Sequence, residues 1–599
     1  MKISTIQAFF RNAVRGGAVI ALLLIGFSHP AYAQRVLTGT VVDENNLPLP
    51  GVNVSVKGTT RGTVTDLEGN FSLSVQDDSE VLVISFVGYS PVEIPVLNQS
   101  QLKVTLKEEV RKLDEVVVIG YGVQKKADLT GAVATVASED LVKVPASSID
   151  KALQGRAAGV FAQSVTGAPG SNVNIMIRGI TSINGTNPMW VVDGVPADPK
   201  TINPNDIESM SVLKDASSAA IYGANGGNGV VIVSTKKGKS GRTTATLNVY
   251  TGWQEAAKYI NVANGPEFAS MYKEYEALLR RRRFTFPNPD TVATYNYQDL
   301  IFRTAPMQSY DLGISGGTDK STYYFGVGYL TQEGILRNSA YDKLTVRMNL
   351  DQKLTSWFRV GENMSFGRQI YHGYQEWQLL NEYHTPILAA LNYHPFVPPY
   401  DTTGNWSFTP LGNTGNPVAS VELLHHKSQN NSGKLSVFAV LEPIKGLSYE
   451  NKITGTASFG ITDDFYPIYF ITPSNRNPNS KVYKQSDWYY DWLWQHRIMY
   501  NVTLAGVHNI SAMAGFEAGY AKGEYMNATR WDLINESREM RYFNASQNDT
   551  LLSQLPNGAG NESSGYSYYG RFGYDYKGIF LAQANFRRDA SSKFGPRKR

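Results

Sequence analysis

No cysteine occurs among the 599 residues, which excludes a disulfide framework and a lipid anchor on a lipobox cysteine. Charge is sparse as well. Charged residues make up 18% of the chain and the formal net charge is +4, too slight a surplus to argue for a nucleic-acid partner. Past the N-terminus no apolar run reaches the roughly 18 residues that a membrane helix needs. The eight histidines include the neighbours His425 and His426 but show no metal-ligand spacing of the H-E-x-x-H kind. Catalytic motifs are equally thin. Gly313-Ile-Ser315-Gly-Gly317 matches a nucleophile elbow, yet it leads through Thr318-Asp319-Lys320 into another strand and reads better as a hairpin. Ser148-Ile-Asp-Lys151 matches S-x-x-K without its companion motifs and reads as a helix start. Gly120-Tyr-Gly122 has Lys125 where a dinucleotide fingerprint needs its last glycine. No catalytic residue, metal or cofactor is expected, and the chain is not expected to be an enzyme.

What is present begins with an export signal over 1–33. Lys2, Arg11 and Arg15 supply the positive region, Gly17 to Phe27 the apolar core, and Ala31-Tyr-Ala33 a small-x-small site that predicts cleavage between Ala33 and Gln34. A retained helical anchor is the alternative. Residues 36–106 alternate in short strands with turn punctuation, such as Leu49-Pro50-Gly51, and predict an Ig-like β-sandwich. The cluster Asp66, Glu68, Gly69, Asn70 lacks the ligand count of a calcium loop and reads as a turn. Residues 107–130 read as a tether, and 131–240 as an α/β unit. In that unit Ser147 and Asp150 start a helix through Ile149, Leu153 and Ala157, and a second helix runs from Asp215 to Tyr222.

From 241 to 599 the texture changes to long alternating segments, about eleven of them. In KLTVRMNLD, Leu344, Val346, Met348 and Leu350 share one face while Lys343, Thr345, Arg347 and Asn349 share the other. A soluble antiparallel sheet alternates too. Segment lengths of ten or more and aromatics near segment ends, as at Trp253, Tyr329, Trp357, Tyr500 and Tyr520, favour strands crossing a bilayer in a large antiparallel β-barrel. The fold class expected is therefore mainly β: a sandwich, an α/β domain, and part of a transmembrane barrel. Eleven strands cannot close as an even-numbered bacterial barrel, and an open edge in lipid is costly, so the chain is expected to carry about half the wall. Arg280 to Arg283 form a basic run in a loop, either solvated or touching anionic headgroups of outer-membrane lipid.

Between sandwich and α/β unit lies LDEVVVIGYG, a β-branched run with no obvious pairing partner in either neighbour. Such a segment can add itself to the edge of a partner's sheet; a central strand of the flanking domain is the alternative. In order along the chain, GTVVDENNLPLPGVNVSVKG, LDEVVVIGYG, ALQGRAAGV, IMIRGITSINGTNPMWVVDGVP, IESMSVLKDASSAAIYGANGGNGVVIVSTKKG and ANFRRDASSKFGP resemble the SusC/RagA family of TonB-linked outer-membrane transporters. The first resembles a carboxypeptidase-regulatory-like module. The resemblance implies a TonB box at Asp114, Glu115, Val116, Val117, Val118, Ile119 and Gly120, and a plug at 131–240 inside the first half of the barrel. It also implies a SusD-like lipoprotein partner and import of oligosaccharides or peptides across the outer membrane. A plug would meet the wall, and Arg156, Arg178, Asp193 and Asp215 are candidates for ion pairs there, though each also fits a plain surface charge. A cell-surface β-protein that binds glycan or adheres without transporting is the competing reading. No substrate-binding residue is assigned: the Trp and Tyr around 374 to 406 and 484 to 494 suit sugar stacking and interfacial packing equally.

Overall fold

The computed structural model describes residues 35–44, 46–77, 79–86, 88–97, 99–107, 116–119, 122–125, 132–143, 146–180, 185–278, 287–374, 385–409, 414–423, 425–471, 476–548 and 554–595. The signal segment with Ala33 and Gln34, the box residues Asp114, Glu115 and Gly120, and the run Arg280 to Arg283 lie outside them. The chain divides into two compact units, parting at Asp114.

The first unit is a sandwich. One sheet orders β4 (Asn70–Val75), β1 (Arg35–Val42) and β7 (Gln101–Thr105); the other orders β3 (Gly62–Val64), β2 (Asn53–Val56), β5 (Val81–Ser85) and β6 (Val92–Pro95). Alternate residues of both face inward, so Leu37, Val54, Phe71, Leu73, Leu82, Ile84 and Val104 form one buried core. Asp66 spends its carboxylate on the backbone N–H groups of Glu68 and Asn70, which makes the cluster a turn. A side chain on Gly69, at φ 76°, would meet the Val41 carbonyl.

In the second unit, β8 (Val116–Ile119) pairs antiparallel with β9 (Gly122–Lys125) and lies beside two strands of the α/β domain. The sequence therefore misleads on one point: the β-branched run has a partner, supplied by the residues just after Gly120-Tyr121. The α/β domain orders β10 (Val133–Ala137), β15 (Ile207–Leu213), β16 (Val230–Thr235), β13 (Met189–Val192) and β14 (Val195–Pro196), with β11 (Val160–Ser164) and β12 (Val173–Ile177) as a separate hairpin. Both helices are shorter than their periodicity suggests. Ile149–Ala152 is followed by turns in which Gly155 takes φ 73°, and Ala216–Ala219 passes into a 3-10 stretch broken at Gly223. Positive φ at glycine costs little and stops each helix.

The wall is one antiparallel meander: β17 (Gly241–Gln254), β18 (Ala305–Gly317), β19 (Ser321–Glu333), β20 (Ala340–Lys353), β21 (Phe358–His372), β22 (His425–Ile444), β23 (Leu447–Tyr466), β26 (Lys481–Leu504), β27 (His508–Leu533), β29 (Gln554–Tyr576) and β30 (Phe580–Ser591). β24 (Tyr469–Phe470) and β25 (Arg476–Asn477) form a small hairpin in a loop, and β28 (Ser546–Asn548) pairs with β27. Among the described residues β17 and β30 do not pair with each other. Connections at one end are tight turns, as at 318–320 and 445–446; at the other they are long, as at 255–304 and 373–424. The Gly313–Gly317 motif ends β18 and runs into the first of these turns.

Candidate functional site

The two faces of the wall are inverted relative to a water-soluble sheet. On β20 the buried residues are Lys343, Thr345, Arg347 and Asn349, while Leu344, Val346, Met348 and Leu350 are the more open set. The outward apolar row continues sideways through Val327, Val346 and Phe366. Exposed aromatics crowd the outward face of β26, with Trp488 and Tyr490 stacked 5.7 Å apart. Polar inside and apolar outside is the arrangement of a barrel wall in lipid.

The inward polar groups meet the α/β domain. Asp193 and Gly194 both take positive φ (50° and 82°) and join β13 to β14, the two-residue Asp-Gly turn that suits a hairpin. Arg347 of β20 forms an ion pair with the Asp193 carboxylate at 2.5 Å, both side chains about nine-tenths buried. Thr235 also donates to that carboxylate through its backbone N–H (3.0 Å) and hydroxyl (2.7 Å). Burial alone would raise the Asp193 carboxyl. Arg347 and the Thr235 bonds outweigh it and hold the group below the usual carboxylate range. Lys452 of β23 donates to the Asp193 carbonyl and Lys434 of β22 to the Pro196 carbonyl, each at 2.5 Å. Three cations from three wall strands thus converge on one hairpin.

Further contacts spread around the domain. The Tyr324 hydroxyl of β19 donates to Asp206 at 2.7 Å, and burial keeps that carboxyl above its ordinary range. Lys343 donates to the Ile202 carbonyl at 2.8 Å and Asn349 to the Lys236 carbonyl at 2.7 Å. On β30, Asn585 and Arg587 donate to the carbonyls of Ser217 (3.0 Å) and Ile221 (2.9 Å). A cavity of about 370 Å³ remains on the β17–β20 side, bordered by Ser147, Asn203, Asp311, Lys343 and Thr345. These contacts hold the folded domain against the inner face of the wall by many separate polar bonds.

The four charges marked in the sequence fare differently. Asp193 sits at the centre of the contact. Asp215 caps the helix Ala216–Ala219, accepting from the Ser218 N–H at 2.8 Å and from Ala132; those bonds outweigh burial and keep its carboxyl low. Arg156 has one buried guanidinium nitrogen without a hydrogen bond, and Arg178 is exposed at φ 62°. Neither forms an ion pair with a described acidic residue. Of the box, Val116 to Ile119 form β8. The wall residues Arg347, Lys434, Lys452 and Arg587 were not singled out from sequence. Their signal was a cation on the polar face of an alternating strand.

Residues 125–230 match the family described as TonB-dependent Receptor Plug Domain, and 37–118 match the CarboxypepD_reg-like domain. Over nearly all of its length, this chain resembles the TonB-dependent receptors of the SusC/RagA kind. It is 32% identical to TonB-dependent receptor P39 of Formosa agariphila over 98% of its own length and 56% of the relative's. It is 30% identical to TonB-dependent receptor SusC of Bacteroides thetaiotaomicron, over 96% and 58%. The RagAB peptide importer in its open-open state superposes with a TM-score of 0.68 at 26% identity, over 80% of this chain and 57% of that one. The chain spans little more than half the length of the curated relatives it matches. The α/β domain is the plug, and the meander is wall of the receptor-barrel type. The relatives are receptors and transporters, not enzymes. The CarboxypepD_reg-like match ends at 118, inside β8, and so takes in part of the segment that reads as a tether from 107.

Proposed function

We propose that this chain serves TonB-dependent import across the outer membrane, with oligosaccharides or peptides as cargo and a SusD-like lipoprotein as its surface partner. The observation that carries the reading is a plug domain bound by polar side chains on the inner face of a wall whose outer face is apolar. A wide barrel leaks unless its lumen is filled, so transport requires the plug to shift, and the energy must come from a partner. In this reading TonB takes hold of Asp114 to Gly120 by strand addition, and the pull reaches the plug through β8, which lies beside β15 and β16. The RagAB relative, a peptide importer, favours peptides over oligosaccharides as the first cargo to test.

The test is Val117→Pro in the native host. Proline removes a backbone donor from the strand, so uptake of the cognate nutrient is expected to stop while membrane abundance stays at the wild-type level. Normal uptake by this variant would sink the assignment of the box. The non-transporting surface reading predicts unchanged uptake and release of the protein by salt washing rather than by detergent.

A further inference from the structure

We propose that the recess between the β19–β20 loop and the helix Pro417–Glu422 binds a carboxylate-bearing substrate, with Arg337 as the group that receives the carboxylate. The proposal rests on the import reading and narrows its cargo. The recess, of about 360 Å³, is lined by Arg303, Arg337, Asn338, Val421 and Glu422, a volume at the lower end of small-ligand sites.

Two of its three charged groups are already engaged. Arg303 bonds to Glu333 at 3.1 Å and to the Gly334 carbonyl at 3.2 Å. Glu422 accepts the Tyr400 hydroxyl at 3.2 and 3.3 Å. Arg337 differs. Its backbone N–H donates to the Ile301 carbonyl at 3.0 Å, and the next side chain, Asn338, donates to the Val421 carbonyl at 3.1 Å, which pins the loop. Its guanidinium has no hydrogen bond or ion pair among the described residues, although Glu422 borders the same recess. A guanidinium fork left open in this way matches the two oxygens of a carboxylate. Beside it, Tyr400 and Trp406 lie with ring centroids 4.7 Å apart and planes tilted by 31°, an aromatic surface for a sugar ring or an apolar side chain.

The location suits a first contact with incoming solute. The recess lies at the long-loop end of the wall, which in barrels of this kind faces outward. The same β19–β20 loop touches the plug: a side chain on Gly334 would meet Pro169 at 3.1 Å, and Gly170 packs on the Tyr341 ring. A ligand held by Arg337 therefore sits a few residues from the tip of the plug.

Binding to the purified protein in detergent tests this without any need for TonB. The probes are trigalacturonate and its methyl ester, and trialanine and its C-terminal amide. Wild type is expected to bind one carboxylate form at least about tenfold more tightly than its neutral counterpart, the scale of a charge-assisted bond. Arg337→Gln should erase that preference, and Arg337→Lys should restore part of it, with heat-modifiable migration verifying an intact barrel in each. Whichever pair responds identifies uronate or peptide as the source of the carboxylate. Absence of any preference in wild type, or wild-type discrimination by Arg337→Gln, overturns the proposal. Carboxylate-selective binding alongside undisturbed uptake in Val117→Pro would instead sink the box assignment, and the TonB-driven step that rests on it, and leave this site standing.

Discussion

At the level of single residues, the pair Asp193–Arg347 decides more than its one contact. Breaking a buried pair leaves an uncompensated charge and costs about 3–5 kcal/mol, whereas replacing both partners with apolar groups is close to neutral. Asp193→Asn is expected to lower the melting temperature of the plug, and adding Arg347→Met, which removes the stranded guanidinium while Asn keeps the turn and an acceptor for Thr235, to recover much of the loss. Calorimetry on the purified protein measures both. Effects that simply add, within about 0.5 kcal/mol, would show that the two groups are not coupled. On β20 the alternation allows a second test. Val346 lies outward between Val327 and Phe366, and arginine there costs about 2–4 kcal/mol near mid-bilayer, so Val346→Arg should reduce the amount assembled in the membrane. The polar face by itself suggests that Thr345→Arg would be harmless in a watery lumen. The structure corrects this: Thr345 is 4% exposed and lies beside Lys343 and Arg347. Arginine at 345 is expected to leave assembly intact but to loosen the plug, read as faster proteolysis within 131–240.

At the level of elements, the described parts of the long loops share a buried core of their own. Segments from 255–304 and 373–424 fold on one another around Tyr297, Ile301, Tyr393, Val397 and Val421. His394 is buried in this cluster beside Phe268 (5.0 Å) and Phe396 (5.5 Å), with Thr409 at 2.7 Å from its Nδ1. Burial pushes its imidazole down to about 4. The folded pKa lies below the unfolded one, so the loop cluster keeps its full stability above pH 6.5 and loses it as the pH falls from there toward 4, by about 1.4 kcal/mol per unit of pKa difference. Protection factors of the amides in 386–409, the exchange rates corrected for their intrinsic pH dependence, should therefore fall between pH 6 and 4.5, and His394→Phe should flatten that dependence. An unchanged profile in the variant would mean that another group is responsible. Strands of this wall are legible in sequence because alternation over ten or more residues is a strong local signal. Asp193-Gly194 announces its hairpin for the same reason. The pairing of Val116–Ile119 with Gly122–Lys125 is not legible, because Gly120-Tyr121 carries no standard hairpin signature, and neither helix length nor the Arg347 contact is encoded within a single window. Plug-to-wall bonds such as Lys452 to Asp193 join residues 259 apart, and only the assembled wall brings them together.

At the level of the whole molecule, the two units stand in opposite relation to solvent. The wall exposes apolar residues outward and keeps its polar ones against the plug, so its fold presupposes lipid and a closed ring of hydrogen bonds. The sandwich has the reverse pattern. Its inward residues, from Leu37 to Leu106, make an apolar core of their own, the buried Thr65 hydroxyl both donates to the Leu49 carbonyl (2.6 Å) and accepts from the Val52 N–H (2.9 Å), and among the described residues its sheets are built from strands within 35–107. Residues 35–107 expressed alone are therefore expected to be soluble without detergent and to unfold in urea in a single transition, with a slope of about 1 kcal/mol/M as for other small domains. Gly39→Val, which would drive a side chain into the Phe71 ring and the Leu102 carbonyl, should abolish that transition. The same substitution in a background carrying the whole wall should leave heat-modifiable barrel migration unchanged, since the sandwich and the second unit have separate cores. Loss of barrel assembly in that variant would mean that the sandwich takes part in folding the wall, and the two-unit account would fail.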